Sequence, residues 1–180
     1  ALAEACAERG AEVTLVAGPV SLKTHHPAIK RIDVESAGEM YQAAMTAFPS
    51  SDAAILCAAV ADYRLENASE QKIKRETERE MTLHLVPNPD IAASLGAIKR
   101  EGQVMVGFAL ETNDEATHAE GKLKRKNLDF IVLNSLRDQG AGFRCDTNKI
   151  TIIDNAGGVT SYPLKTQREV ALSLIHISEP

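Results

Sequence analysis

The sequence predicts an α/β protein with a doubly wound, mostly parallel, Rossmann-like sheet that carries helices on both faces. Apolar runs of strand length alternate with helical patterns along the 180 residues, which is typical of repeated β-α-β units. The run AAILCAAV at 53–60 is almost continuously apolar, as expected of a strand that is covered on both faces. The length suits one domain, and the chain contains no internal repeat or low-complexity linker.

The elements follow in order from local patterns. Strands are predicted at 12–18, 29–34, 53–60, 81–86, 103–110 and 128–134, and helices at 37–48 and at about 113–126. Another helix should begin at NPDI, where Asn88 can act as N-cap, Pro89 fits the first turn and Asp90 favours the positive helix end. MTLHLV at 81–86 alternates, which predicts one exposed strand face, and the segment before it that carries Lys72 and Lys74 is expected to form a flap. NKITIIDNAGGVTSYP predicts a C-terminal hairpin whose turn lies at 155–158.

Composition excludes several classes of protein. The net charge of −5 gives no overall basic field, so we expect no nucleic-acid partner. No stretch approaches the roughly 18 apolar residues of a membrane span, so we expect no membrane partner. The three cysteines stand far apart without metal-ligand spacing, which predicts reduced thiols and a cytoplasmic protein.

The two ends of the sequence are expected to differ from the rest. Residues 1–10 have the composition of a helix that is entered partway. The last nine residues, LSLIHISEP, match the in-frame translation of a transposase adaptor used in DNA sequencing libraries. We therefore expect residues 172–180 to be a non-native tail and residues 1–171 to form the domain.

Polar residues at three strand exits indicate a site, because ligands of such sheets bind at the carboxyl ends of the strands. The first exit is 58–62, which ends in Asp62; the second is 107–113, and the third is Asn134. Lysines could supply anion binding: Lys122 and Lys126 lie four residues apart, and hence on one helix face. Lys72 and Lys74 lie two apart in an extended segment and would point the same way.

Each of these features also has a simpler interpretation. The helix lysines could belong to a solvated basic face shared with Lys124 and Arg125, the second pair to a charged loop, and Asp62 to a turn. Taken together they predict a polyphosphate-and-metal site, with a carboxylate for a cation and lysines for phosphates.

Five motifs in this order carry a resemblance to a known family: AAVADYR, a lysine ten residues after its aspartate in KIK, NPDI, VGFALET and KLKRKNLD. Together they resemble bacterial phosphopantothenoylcysteine synthetase, the second half of the bifunctional coenzyme A biosynthesis protein. The resemblance covers residues 1–171. It implies a ligase that joins 4′-phosphopantothenate to L-cysteine with CTP and Mg²⁺, through an acyl-cytidylate.

The resemblance also assigns site residues. Asp62 matches a nucleotide contact that we also expect to serve the metal, and Lys72 matches the flap lysine on the phosphates, for which we expect a catalytic role. Further nucleotide contacts are implied at Leu56, Cys57, Ala58, Asn88, Pro89, Asp90, Ile91, Phe108, Lys122 and Lys126. The family further implies a homodimer and a fused decarboxylase domain that uses FMN and lies outside this sequence.

The sequence departs from the family pattern at its start. The family begins with a strand, a glycine-rich turn and an NxSSGxMG stretch before the first helix, and none of these is present. An inactive fragment or non-catalytic interaction module therefore stays open. So does an NAD(P)-binding oxidoreductase domain, which would need a GxGxxG turn after its first strand. The choice of CTP over ATP rests on the resemblance alone.

Overall fold

The computed structural model describes residues 1–67, 69, 71–72, 81–111, 115–135 and 147–178. Its helices are α1 Leu2–Ala7, α2 Ala37–Ala47, α3 Ile91–Ile98, α4 Glu115–Arg125 and α5 Gln167–Ser178, with a 3₁₀ turn at Phe48–Ser50. Its strands are β1 Val13–Ala17, β2 Ile29–Asp33, β3 Ala53–Leu56, β4 Tyr63–Leu65, β5 Leu85–Pro87, β6 Val104–Glu111, β7 Phe130–Ser135, β8 Thr147–Asn148, β9 Ile150–Asp154, β10 Val159–Ser161 and β11 Lys165–Thr166. None of the helices in these ranges is long and apolar enough to cross a membrane.

The central sheet has five strands in the order β10-β9-β7-β6-β3. Strands β3, β6 and β7 run parallel, and β9 and β10 are antiparallel additions at one side. Three two-stranded sheets complete the described structure: the parallel pair β1–β2 and the antiparallel pairs β4–β5 and β8–β11. The predicted α/β fold with a mostly parallel sheet is therefore confirmed.

Alternate residues of the central strands feed two separate cores, as the two-residue period of a strand requires. One core joins β6, β7 and β9 to α3 and α4 through Met105, Ala109, Ile131, Leu133, Ile153, Leu95, Ala119, Leu123 and Leu128. The other joins the opposite sheet face to α5 through Val106, Val132, Ile150, Ile152, Val170 and Leu174, with Leu2 of α1 and Phe108 packed against it. Helices thus cover both faces, as the almost continuous apolar runs predict.

Three differences between the predicted and the observed elements bear on the site. The strand predicted at 53–60 ends at Leu56, and the strand predicted at 81–86 begins only at Leu85. The alternation at 81–86 does not hide its apolar side chains, because Met81, Leu83 and Leu85 are all exposed. The N-cap of α3 is Asp90 and not Asn88, so Pro89 precedes the helix instead of lying in its first turn. Asn88 instead donates hydrogen bonds to the backbone carbonyls of Ala61 and Asp62.

The C-terminal hairpin forms as predicted. Strands β9 and β10 pair antiparallel around the turn at 155–158, where Asp154 Oδ1 accepts the N–H groups of Ala156 and Gly158 and Gly157 has φ +93°. Helix α5 continues through residues 172–178, and Leu174 is buried in the second core. The predicted non-native origin of residues 172–180 stays a prediction.

Candidate functional site

The candidate site lies at the carboxyl ends of β3 and β6. Leu56, the last residue of β3, pairs with Gly107 of β6, and β6 continues beyond that point. The chain then leaves the sheet through Cys57 and Ala58, both exposed, and Cys57 is a free thiol. The residues after β3 therefore stand at the sheet edge where ligands of parallel sheets bind.

The loop from β3 is fastened to the start of α3 by Asn88. Its backbone N–H donates to Asp62 O at 2.8 Å, and its Nδ2 donates to Ala61 O at 2.8 Å. Among the described residues, Asn88 Oδ1 is a buried acceptor without a hydrogen-bond donor. The pairing of β4 with β5 extends this connection, and Arg64 Nη1 donates to Pro87 O at 2.8 Å. Asp62 and the NPDI segment are thus neighbours, and the side chain of Asn88 keeps one polar atom to be satisfied.

Asp90 caps the amino end of α3. Its Oδ1 accepts the N–H of Ala93 at 3.0 Å, which is the bond of an N-cap. Partial burial alone would raise the pKa of the Asp90 carboxyl. The Ala93 N–H, the hydrogen bond from Lys126 and the charges of Lys126 and Arg125 outweigh that effect and lower the pKa below its ordinary value. Asp90 is therefore held as a carboxylate.

The end of α4 is built by its own sequence. Asn127 has φ +51°, a left-handed conformation that asparagine tolerates better than most residues, and it follows the helix as its terminating residue. Leu128 N–H donates to Leu123 O at 3.0 Å and Asn127 N–H to Lys124 O at 3.4 Å, the two bonds of a Schellman motif. Lys126 is consequently the C-cap residue, with its backbone fixed.

This helix end presses against α3 at Gly96. A Cβ atom at Gly96 would collide with Lys126 O and would lie 2.9 Å from Lys126 C. Asn127 Nδ2 donates to Gly96 O at 3.0 Å, which locks the contact. The absence of a side chain at Gly96 lets the two helices approach closely enough for Lys126 to run along α3.

Lys126 reaches the amino end of α3 and meets Asp90 there. Its Nζ lies 2.9 Å from Asp90 Oδ2 and 3.1 Å from Asp90 Oδ1. Lys122 and Lys126 are both half-buried, whereas Lys124 and Arg125 are exposed, so the two predicted lysines do share a distinct face of α4. Lys126 is already paired with a predicted site residue, a contact that the sequence alone did not predict.

Two predicted residues, Phe108 and Lys72, are not brought into contact with Asp62 or Lys126 among the described residues. Phe108 packs against the core under α5, on the face of the sheet opposite to α4. Lys72 is exposed, and no described contact connects it to Asp62 or Lys126. Lys74 and the rest of 73–80 lie outside the described residues.

Two features of the structure were not predicted. Lys99, just after α3, lies 2.6 Å from Asp129 Oδ2, and Asp129 also accepts the backbone N–H of Met105 at 2.7 Å. At the third strand exit, Asn148 Nδ2 donates to Asn134 Oδ1 at 2.8 Å. The isolated glycine inside the pattern of α3 was the one sequence signal for the contact at Gly96. No sequence signal pairs residues 30 positions apart, such as Lys99 and Asp129.

A metal held by protein side chains alone is not indicated. Among the described residues, no group of three or more His, Cys, Asp or Glu side chains is placed to hold a metal ion. A cation bound mainly by phosphate oxygens needs only one or two carboxylates, which Asp62 could supply.

The comparisons with known proteins agree on one family. The sequence profile described as "DNA/pantothenate metabolism flavoprotein C-terminal domain" matches residues 1–179. A curated relative from an unknown prokaryotic organism, named "Cysteine/Cysteine sulfinic acid decarboxylase", is 55% identical over 175 residues, 97% of this chain and 48% of its own length. The "Coenzyme A biosynthesis bifunctional protein CoaBC" of Vibrio parahaemolyticus is 50% identical over 153 residues, 84% of this chain and 38% of its own length.

A solved structure supports the same relationship. The crystal structure of the C-terminal domain of coenzyme A biosynthesis bifunctional protein CoaBC has a TM-score of 0.77 and 36% identity, and the match covers 98% of this chain and 79% of that one. The chain spans half or less of the length of the curated relatives named here.

Proposed function

The chain belongs to the family of DNA/pantothenate metabolism flavoprotein C-terminal domains, and from that premise we propose that it ligates 4′-phosphopantothenate to L-cysteine with CTP. The observation that carries the proposal is the set of charged residues at the carboxyl edge, where the resemblance expects a nucleotide: Asp62 and Asp90 with Lys126. The names of the Vibrio parahaemolyticus relative and of the solved structure place those two proteins in coenzyme A biosynthesis.

The reaction has two steps. The carboxylate of phosphopantothenate attacks the α-phosphorus of CTP, a P–O bond breaks, and pyrophosphate leaves with the acyl-cytidylate formed. The amine of cysteine then attacks the acyl carbon, the amide bond forms, and CMP leaves with the former carboxylate oxygen on its phosphate. Both leaving groups are phosphate anions, so fixed cations lower both barriers.

The lysines are proposed to carry that charge. Lys122 and Lys126 would bind the β- and γ-phosphates, and Lys72 would stabilise charge on the α-phosphate during transfer. The remaining proposed nucleotide contacts are Leu56, Cys57, Ala58, Asn88, Pro89, Ile91 and Phe108. Asn88 Oδ1, the buried acceptor, could take a hydrogen bond from a nucleotide group.

Mg²⁺ fits the residues present. The Asp62 carboxylate is exposed at the strand exit, and one carboxylate together with phosphate oxygens and water is an ordinary Mg²⁺ shell. The ion would offset phosphate charge during the first step, and Asp62 would fix its position.

The finer features of the whole protein are part of the same proposal. Exposed Tyr63, Leu65, Met81, Leu83 and Leu85 cluster around the β4–β5 pair, and we propose that a second copy of the chain covers them in a homodimer. A fused decarboxylase domain with FMN would account for the part of the relatives outside the match. Cys6 and Cys57 are free thiols, consistent with work in the reducing cytoplasm.

The test is release of CMP and pyrophosphate by the complete gene product. Sustained release of both products should require phosphopantothenate and cysteine together, with no more than one equivalent of pyrophosphate per site and no CMP when cysteine is omitted. Product formation without CTP dependence would overturn the proposal. Lys72→Gln should lower kcat by about 10²–10³-fold, the effect of removing a preorganised charge from a reacting group. Lys74→Gln is the matched control, and equal small effects from both would remove Lys72 from the catalytic site.

Family membership favours this ligase over the NAD(P)-dependent oxidoreductase that the sequence also left open. A titration with NADH serves as the check: we expect no change in nicotinamide fluorescence under conditions where CTP binds.

A further inference from the structure

We propose that Asp90, for which the resemblance implies a direct nucleotide contact, is instead a positioning residue that acts on the nucleotide through Lys126. The inference rests on the proposed function only for the identity of the ligand. Its structural basis is the path of the Lys126 side chain along α3.

The backbone and the ammonium group of Lys126 are fixed at different places. The backbone contacts Gly96, six residues along α3 from Asp90 and hence roughly 9 Å along the helix axis. The ammonium group nevertheless lies at the amino end of α3, 2.9 Å from Asp90 Oδ2. The lysine side chain therefore spans this distance along α3, and the ion pair at its end offsets the rotamer freedom that an unbound lysine would keep.

Asp90 is well suited to bind that end, because its own side chain is fixed. Its Oδ1 accepts the N–H of Ala93 at 3.0 Å, so the carboxylate cannot follow the lysine into solvent. The pair is not sealed: the Asp90 side chain is 48% exposed and that of Lys126 is 23% exposed. An ammonium group has three N–H donors, and Asp90 leaves capacity for an incoming phosphate oxygen.

Asp90 has two opposite effects on an anion near Lys126. Its negative charge repels the anion. Its ion pair with Lys126 already holds the lysine side chain in place, so the side chain need not be ordered at the moment of binding. Preorganised charge is what makes a cation effective toward a phosphate, so we expect the second effect to dominate. The two effects predict opposite signs when only the charge of Asp90 is removed, which makes the inference testable.

The decisive variant is Asp90→Asn. Asparagine caps helices as well as aspartate does, so α3 should keep its cap while Lys126 loses its ionic partner. Binding of CTP, CMP and inorganic tripolyphosphate is measured by calorimetry on the complete gene product, together with kcat and KM for CTP. A melting temperature within a few degrees of the wild type verifies the fold.

We expect Asp90→Asn to weaken CTP and tripolyphosphate binding about tenfold, because the Lys126 side chain must then be ordered at the moment of binding. CMP, which lacks the β- and γ-phosphates, should lose less. Lys126→Gln should cost at least as much, and Asp90→Asn combined with Lys126→Gln should be no worse than Lys126→Gln alone. Lys124→Gln, on the exposed face of α4, is the control and should leave binding unchanged.

Every other outcome overturns the inference. Tighter binding by Asp90→Asn would make Asp90 only a competing counter-ion, unchanged binding would make it only a helix cap, and additive losses in the double variant would give it a separate contact. Failure of the proposed function looks different: the wild type would bind tripolyphosphate but release no CMP. A wild type that does not bind tripolyphosphate would overturn the positioning role directly.

Discussion

Two lysine–aspartate pairs stand at opposite ends of α3 and differ in almost everything but their chemistry. At the end of the helix Lys99 meets Asp129 at 2.6 Å, with side chains only 11% and 21% exposed. At its start Lys126 meets Asp90 at 2.9 Å, and Asp90 is about half exposed. Both pairs join α3 to the segment that leads from α4 into β7.

The difference lies in exposure and in the number of elements that each carboxylate joins. Asp129 also accepts the N–H of Met105 through Oδ2 and the side-chain N–H of Asn155 at 3.4 Å through Oδ1, and its carbonyl accepts the N–H of Asn155 at 2.9 Å. That pair ties α3, β6, β7 and the hairpin together and is the less exposed of the two. The pair at Asp90 is open at the edge of the sheet. An ion pair of this kind can serve a ligand only when some of its hydrogen-bonding capacity remains.

The largest effect is expected at Gly96, because both pairs depend on the close contact between α3 and the end of α4 at this residue. Gly96→Ala places a methyl group into Lys126 O, which should force α3 and α4 apart and destabilise the chain by about 3 kcal/mol. Helix propensity alone would predict that the substitution raises the free energy of unfolding by up to about 1 kcal/mol. The sign of the measured change therefore distinguishes the two effects. Urea unfolding gives the free energy of unfolding of each variant.

Gly121→Ala is the matched control within α4. A Cβ there meets nothing within 4 Å, so this variant should be neutral or slightly stabilising. Equal effects from the two substitutions would mean that the contact at Gly96 is not tight.

A smaller effect is expected at the closed pair. Asp129→Asn keeps the size of the side chain but removes its charge, leaves Lys99 partly buried without an ionic partner, and should destabilise the protein by about 2 kcal/mol. Thermal unfolding should show a melting temperature lower by about 4–8 °C for a chain of this size. CTP affinity of the folded variant should be unchanged; a loss of affinity without a loss of stability would reverse the roles assigned to the two pairs.

The smallest effect concerns the pH dependence of the open pair. The pKa of Asp90 is lower in the folded chain than its ordinary value of 3.8, so its contribution to stability is complete above that value and is lost as the pH falls through the folded pKa. Because the pair is exposed, the contribution is only about 0.5 kcal/mol. The free energies of unfolding of the wild type and of Asp90→Asn should differ by that amount at pH 7 and converge below pH 3.8. A difference that persists in acid would exclude the ionised carboxylate as its source.

The sequence predicts the central strands well because their signal is local. The apolar runs that become β6 and β7 need no knowledge of their neighbours, and NPDI correctly marks the start of a helix. The choice between Asn88 and Asp90 as N-cap could not be made locally, since both residues are good caps. It is decided by Ala61 and Asp62, which engage Asn88 from a distant part of the chain.

The candidate site is predicted in part for the same reason. The spacing of Lys122 and Lys126 correctly gives them one face of α4, because four residues are about one helical turn. The partner of Lys126 depends on how α3 packs on α4, and hence on Gly96, which no periodicity reveals. The position of Phe108 on the other face follows from strand parity once its neighbours are known to be core residues.

The separate β1–β2 pair should make the chain open in stages. Within the described residues, these strands hydrogen-bond to each other and not to the five-stranded sheet, and α2, which packs on β1, has no fully buried residue. Helix α2 joins this unit to the rest through side chains that are only partly buried, such as Ala44 and Met45, so local opening should cost less free energy here than in β6 and β7. In hydrogen–deuterium exchange, the amides of β1 and β2 should accordingly exchange faster, through local fluctuations. Those of β6 and β7 should exchange only on global unfolding.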